Sequence, residues 1–148
     1  MQERFQMFTV LITKINRSIR RIKTEEMAEF DLKSPHVSCL YYLYKNACLT
    51  AKALCDICGE DKASVSRSLE FLEEKGFVVC GTSAKKRYKS PLTLTEKGKE
   101  VGGRLAKKID AVLEKAGAGL SEEDRAIFYR CLGIICENLQ QICDNYDD

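Results

Sequence analysis

The chain has 148 residues, a length suited to one ordinary domain or two small modules sharing a core. With 45% apolar residues, 31% charged residues and a formal net charge of only +2, it is expected to be helix-rich and globular rather than disordered. No apolar run reaches the roughly 18 residues of a membrane helix. The N-terminal stretch has charges on both sides of its apolar run and no small-residue cleavage site, so no secretory signal is read and the cytoplasm is the expected compartment.

The first segment carries Phe5, Phe8, Ile12, Ile15, Ile19 and Ile22 at alternating spacings of 3 and 4. This is a heptad seam and predicts one long helix reaching to about Phe30. Ser34-Pro35 then opens a second helix, with serine as its cap and proline in the first turn; Val37, Leu40, Tyr41 and Tyr44 follow at helical spacing to about Asn46. Thr50 caps a short third helix that stops at Gly59, and Asp61 caps a fourth that ends at Gly76. Val65, Leu69 and Leu72 form the buried stripe of this fourth helix. Two helices joined by a short glycine-containing turn are a helix-turn-helix.

Phe77-Val78-Val79-Cys80 and Pro91-Leu92-Thr93-Leu94 predict two short strands around a basic loop, a hairpin or wing. Thr95 caps a fifth helix lined by Val101, Leu105, Ile109 and Val112. Its Gly102-Gly103 pair costs about 1 kcal/mol per glycine relative to alanine and implies a bend or close packing. Ser121 caps a last helix with a second heptad seam, Phe128, Leu132, Ile135, Leu139, Ile142 and Tyr146. The expected fold is mainly α with a small β-hairpin wing. Residues 34–95 form the winged helix-turn-helix, and 1–33 with 96–148 form a helical region whose apolar seams bury against each other and a second copy.

Charge is unevenly spread. No acidic residue occurs from Phe77 through Thr95, yet Lys85, Lys86, Arg87 and Lys89 fall within five positions. A second acid-free run holds Lys14, Arg17, Arg20, Arg21 and Lys23, either a solvated face or a contact to flanking phosphates. Locally basic surface on a neutral chain suits an anionic partner. One histidine, no glycine-rich phosphate loop and no nucleophile–base motif argue against an enzyme.

The eight cysteines are expected to be reduced and to pack as small hydrophobes. Cys55-x-x-Cys58 puts two thiols on one helix face, but a structural zinc needs two more ligands, and Cys39, Cys48 and His36 match no zinc spacing. No metal or cofactor is expected, with metal or redox use of cysteines kept as the alternative. Cys131 and Cys143 border the last seam and are expected to pack there.

The run from Leu49 to Gly98 resembles the DNA-binding core of the MarR family. The resemblance rests on Leu49-Thr50, Ala53-Leu54, Gly59, Asp61 through Arg67, Leu69, Leu72 through Gly76, and Leu94 through Gly98. It implies a homodimeric winged-helix regulator of transcription, most often a repressor. Such a protein binds pseudo-palindromic double-stranded DNA and is released by a small-molecule effector or an oxidant. Family members bind aromatic acids beside the first two helices, which implies an effector pocket at His36, Tyr41 and Tyr42; a merely solvated His36 is the competing reading. One position departs from the pattern: where the family wing carries an aspartate two residues before a key arginine, Lys85 stands before Arg87.

On this reading the N-terminal turns of the fourth helix enter the major groove and offer Lys62, Ser64, Ser66 and Arg67. Arg67 is suited to a bidentate contact with guanine, and Lys85, Lys86, Arg87 and Lys89 to phosphates or the minor groove. A winged-helix module for protein contact is the rival, although protein contact has no need of an acid-free cationic loop.

Overall fold

The computed structural model describes residues 3–47, 49–80 and 90–147. The elements follow the expected order: α1 (Arg4–Glu26), α2 (Ser34–Lys45), α3 (Ala51–Cys58), α4 (Lys62–Glu74), β1 (Val78–Val79), β2 (Thr93–Leu94), α5 (Glu96–Ala116) and α6 (Glu122–Asp144). They form two compact units, Met1–Lys108 and Ile109–Asp148, and α5 runs from one into the other.

In the first unit α4 packs chiefly on α2 and then on α3. Its core joins Val37, Leu40, Leu54, Val65, Leu72, Phe77, Val78 and Leu105, all essentially excluded from water. The expected caps form. Thr50 Oγ1 accepts from Ala53 N–H at 3.1 Å, Asp61 Oδ1 from Ser64 N–H at 2.7 Å, and Thr95 Oγ1 from Gly98 N–H at 3.0 Å. Each satisfies a donor that a helix start leaves without an intrahelical acceptor. The Gly102-Gly103 pair serves close packing. A Cβ at Gly102 would lie 2.9 Å from Tyr44 Cβ, so only glycine lets α5 come this near α2.

Two boundaries differ from expectation. The first helix ends at Glu26, not near Phe30. Met27 leaves helical geometry, Ala28–Phe30 make a single 3-10 turn, and Asp31 adopts a left-handed φ of 58°. The break turns Met27 and Leu32 into the core, where both are buried. Burial of these two side chains outweighs continuing the helix, whose intrinsic preference is weak. Ser34 is not the cap of α2 but its first residue. The Lys33 N–H donates to His36 Nδ1 at 3.1 Å, and the Ser34 N–H donates to Thr24 Oγ1 at 3.1 Å.

The seam of α1 is open in this chain: Phe5, Phe8, Ile12, Ile15, Ile19 and Ile22 are between 38% and 72% exposed. In the second unit Ser121 Oγ accepts from Asp124 N–H at 3.0 Å and starts α6. Phe128, Leu139, Ile142 and Tyr146 of its seam are exposed, as are Cys131 and Cys143, so neither thiol packs within the chain.

Candidate nucleic-acid interface

Gly59, with φ 63°, makes the tight turn after α3, and the Asp61 cap starts α4 directly beyond it. The orientation of α4 is then fixed by what it buries. Val65, Ser68, Leu69 and Leu72 face the core, which leaves Lys62, Ser66 and Arg67 exposed and Ser64 half-buried. Four of the expected contact residues therefore lie on the N-terminal two turns of one capped helix. The N-terminus of that helix carries a partial positive charge that favours an anion nearby.

The base of the hairpin is built onto the same head. Gly76 turns the chain at φ 78° and Phe77 drops into the core. β1 and β2 pair antiparallel, Val78 with Leu94 and Val79 with Thr93. Thr95 locks the exit. Its hydroxyl donates to Gly76 O at 2.6 Å and its N–H donates to Phe77 O at 3.1 Å. Lys97 Nζ donates to Lys75 O at 2.8 Å, closing the C-terminal end of α4 onto α5. On the other side, Leu92 N–H donates to Leu49 O at 2.8 Å and Thr50 bridges Pro91, so the hairpin joins the residue that caps α3. Lys85, Lys86, Arg87 and Lys89 lie outside the described residues.

The three residues expected to line an effector pocket are not gathered together. On α2, His36 stands about 140° around the helix from Tyr41 and about 120° from Tyr42 at ~100° per residue. His36 stacks on Phe71 of α4, ring centroids 4.0 Å apart and nearly parallel, while its Nδ1 caps Lys33. Burial, then the Lys33 charge, holds the imidazole below its ordinary pKa, with Asp31 acting in the opposite sense. Tyr41 and Tyr42 meet edge-on with centroids 5.2 Å apart. Burial raises the Tyr42 phenol above its ordinary pKa.

Sequence reasoning missed a polar cluster inside the head. Cys39 of α2 lies near enough to Cys58, the last residue of α3, and to Ser68 of α4 for each to act on its titration. Lys23 of α1 donates from Nζ to Ser38 Oγ at 2.8 Å, next to Cys39 in the chain. The neighbouring Cys39 thiol lowers the Cys58 thiol below the ordinary cysteine pKa, Lys23 assists, and burial and Glu60 oppose. Cys39 is pushed the other way by Cys58 and by burial. Burial also lowers the Lys23 ammonium. Among the described residues no group of three or more His, Cys, Asp or Glu side chains could hold a metal ion.

No family model matches the chain. The uncharacterized HTH-type transcriptional regulator YybA of Bacillus subtilis (strain 168) is 24% identical over 130 residues, covering 88% of this chain and 87% of that protein. Among solved structures, a MarR transcriptional regulator from Methanosarcina mazei Go1 superposes with a TM-score of 0.78 at 21% identity, covering 93% of this chain and 92% of that one. The MepR–DNA complex of S. aureus gives a TM-score of 0.79 at 19% identity, over 93% of this chain and 99% of that one. Superposition over more than nine-tenths of both chains shows that this chain has the winged helix-turn-helix fold of the MarR transcriptional regulators.

Proposed function

We propose that this chain is a sequence-specific, double-stranded DNA-binding transcriptional regulator that works as a homodimer. The observation that carries the reading is the outward face of α4, where Lys62, Ser64, Ser66 and Arg67 stand on a helix fixed by its cap and by the burial of Val65, Leu69 and Leu72. A rigid helix end with serines and an arginine suits major-groove readout. The likeness to the MepR–DNA complex supports the same use of the head. Lys85, Lys86, Arg87 and Lys89 would add phosphate contacts beside it.

The open seams on α1 and α6 support pairing with a second copy, since apolar stripes this long are otherwise left in water. In this reading residues 34–95 read DNA, while 1–33 and 96–148 hold two heads at the spacing of a pseudo-palindromic operator. The protein acts as a repressor by occluding a promoter. A small aromatic effector bound beside α2, against Tyr41 and Tyr42 with His36 fixing the helix to α4, would change the spacing of the heads.

Selection of bound duplexes from a random pool tests this, followed by gel-shift titration at two salt concentrations. Arg67→Ala is expected to lose about 1–3 kcal/mol of discrimination at one base position, and Lys86→Ala to weaken all sequences alike and cut the salt slope by about 1. Enrichment of no symmetric site, or wild-type binding by both variants, overturns the reading.

A further inference from the structure

We infer that the face of α1 opposite its apolar seam is a second DNA surface, which holds duplex backbone beyond the base pairs met by α4 and does so without regard to sequence. From Arg4 to Thr24 the chain has no acidic residue. At ~100° per residue, Lys14, Arg17, Arg20 and Arg21 fall within an arc of about 120°. The centre of that arc lies about 180° from the centre of the one holding Phe8, Ile12, Ile15, Ile19 and Ile22. All four cations are exposed. Pairing of the seam with a second copy therefore leaves them facing water.

The four charges are also uncompensated. Among the described residues none of them makes an ion pair. The acids at the end of the helix are taken by α5 instead: Glu26 lies 3.8 Å and Glu29 3.5 Å from Lys108, and Glu29 lies 3.4 Å from Arg104. Like charges three or four positions apart weaken a helix, and Lys14 with Arg17, Arg17 with Arg20 and Arg17 with Arg21 are such pairs. The stripe thus costs the free helix stability that a bound polyanion restores.

Duplex backbone suits the stripe better than an acidic protein does. Protein interfaces rely on aromatic and apolar anchors, and the one apolar residue inside this arc of α1 is Val10. Lys14 to Arg21 spans roughly 10 Å of helix axis, the length of about three phosphates along one DNA strand. At its N-terminal end a shallow open hollow is lined by Thr9, Val10, Thr13, Lys14 and Arg17. The Thr13 hydroxyl adds a donor of the kind that phosphate oxygens accept from. The stripe is also tied to the reading head. Lys23 Nζ donates to Ser38 Oγ at 2.8 Å and the Ser34 N–H donates to Thr24 Oγ1 at 3.1 Å, which fixes the end of α1 to α2, the helix on which α4 packs. That duplex DNA is the polyanion rests on the function proposed above; selective recognition of an operator is not needed for it.

The test measures binding of the whole chain to random-sequence duplexes of roughly 20 and 40 base pairs by fluorescence anisotropy across a salt titration. The shorter duplex is long enough for two half-sites one turn apart. Lys14→Gln, Arg17→Gln, Arg20→Gln and Arg21→Gln combined should lower the slope of log K against log salt on the longer duplex by about 0.9 per phosphate lost, or about 3 per protomer, and leave the shorter duplex nearly unchanged. Arg17→Gln alone, too mild to disturb folding, should take about 0.9. Arg17→Lys, Arg20→Lys and Arg21→Lys combined should bind as wild type does, because a phosphate contact here needs charge and not a guanidinium. Circular dichroism and sedimentation should find the glutamine variant as helical and as paired as wild type, since glutamine is a good helix former. An unchanged slope on the longer duplex overturns the surface, and so does an equal loss on both lengths. A glutamine variant that keeps its slope but no longer pairs assigns the stripe to a second copy and overturns the proposal. If no symmetric site is enriched from a random pool while the slope still falls, the regulator reading fails and this surface stands.

Discussion

Gly98→Ala sets two opposed effects against each other, and the structure decides which wins. Gly98 is the third residue of α5, where alanine is favoured over glycine by about 1 kcal/mol on helix propensity alone. A methyl at this position, however, falls inside contact distance of the Phe77 carbonyl oxygen, 3.0 Å from Phe77 C and 3.3 Å from Leu94 Cδ2. The obstacle is backbone, not the end of a flexible side chain, and must part from α5 by roughly an ångström to restore contact distances. Phe77 has no room to retreat, because its side chain is 2% exposed in the core. Its carbonyl also accepts the Thr95 N–H that locks the hairpin. Overpacking costs about 1–3 kcal/mol and a strained Thr95–Phe77 bond about 1. Subtracting the propensity gain leaves a net loss of about 1–3 kcal/mol. For a chain of this size that is a fall in Tm of roughly 2–12 °C. The assay is thermal unfolding followed by circular dichroism at one fixed protein concentration, because a paired chain melts in a concentration-dependent way. Gly133→Ala is the control. Nothing lies within 4 Å of a Cβ there, in the middle of α6, so propensity acts alone and the variant should gain up to about 1 kcal/mol. A Gly98→Ala protein as stable as wild type, or more so, would refute the reasoning.

The remaining expectations concern a titration, a cap and a seam. His36, the sole histidine, gives a single imidazole signal by NMR, and its midpoint should fall below 6.5, moving back up in Phe71→Ala; a midpoint at or above 6.5 contradicts the packing. The unfolded chain then binds the proton more readily than the fold. The contribution of His36 is complete above pH 6.5 and is lost as pH falls through the lower folded value, where Nδ1 can no longer accept from Lys33. Asp61→Ala should cost about 0.5–2 kcal/mol in urea unfolding by removing the cap of α4, with Asp61→Ser recovering most of it. Ile15→Asp, in the middle of the open α1 seam, should convert a dimer to monomers in sedimentation while leaving the helical content of the chain unchanged; an unaltered dimer would show that this seam is not what holds two copies together.

The cap residues were legible because each combines two local signals, a side-chain oxygen and an apolar stripe beginning just after it. Thr50, Asp61, Thr95 and Ser121 all act as expected, since the bond each makes spans only three residues. Errors arise where a distant contact overrides the local pattern. No glycine or proline falls between Ile22 and Pro35 to stop the first helix, and nothing nearby in the chain reports that Met27 and Leu32 will be drawn into a core built by later helices. Ser34-Pro35 likewise reads as a cap and first turn. The pairing of Ser34 with Thr24 and of Lys33 with His36 moves the boundary by one residue, within the ordinary looseness of helix ends.

The same distinction divides the candidate site. The exposed face of α4 follows from its own sequence, because once Val65, Leu69 and Leu72 turn inward the angles of a helix send Lys62, Ser66 and Arg67 outward. The nearness of Cys39 to Cys58 follows from no spacing. The residues are 19 apart on different helices, whereas the spacing that stands out in the sequence is Cys55-x-x-Cys58. His36 and Phe71 are 35 apart and meet for the same reason, the packing of α2 across α4. Periodicity reveals which way a helix faces, and therefore what it can offer to DNA. Which thiols, rings and cations are pressed together behind that face depends on how α1, α2, α3 and α4 pack.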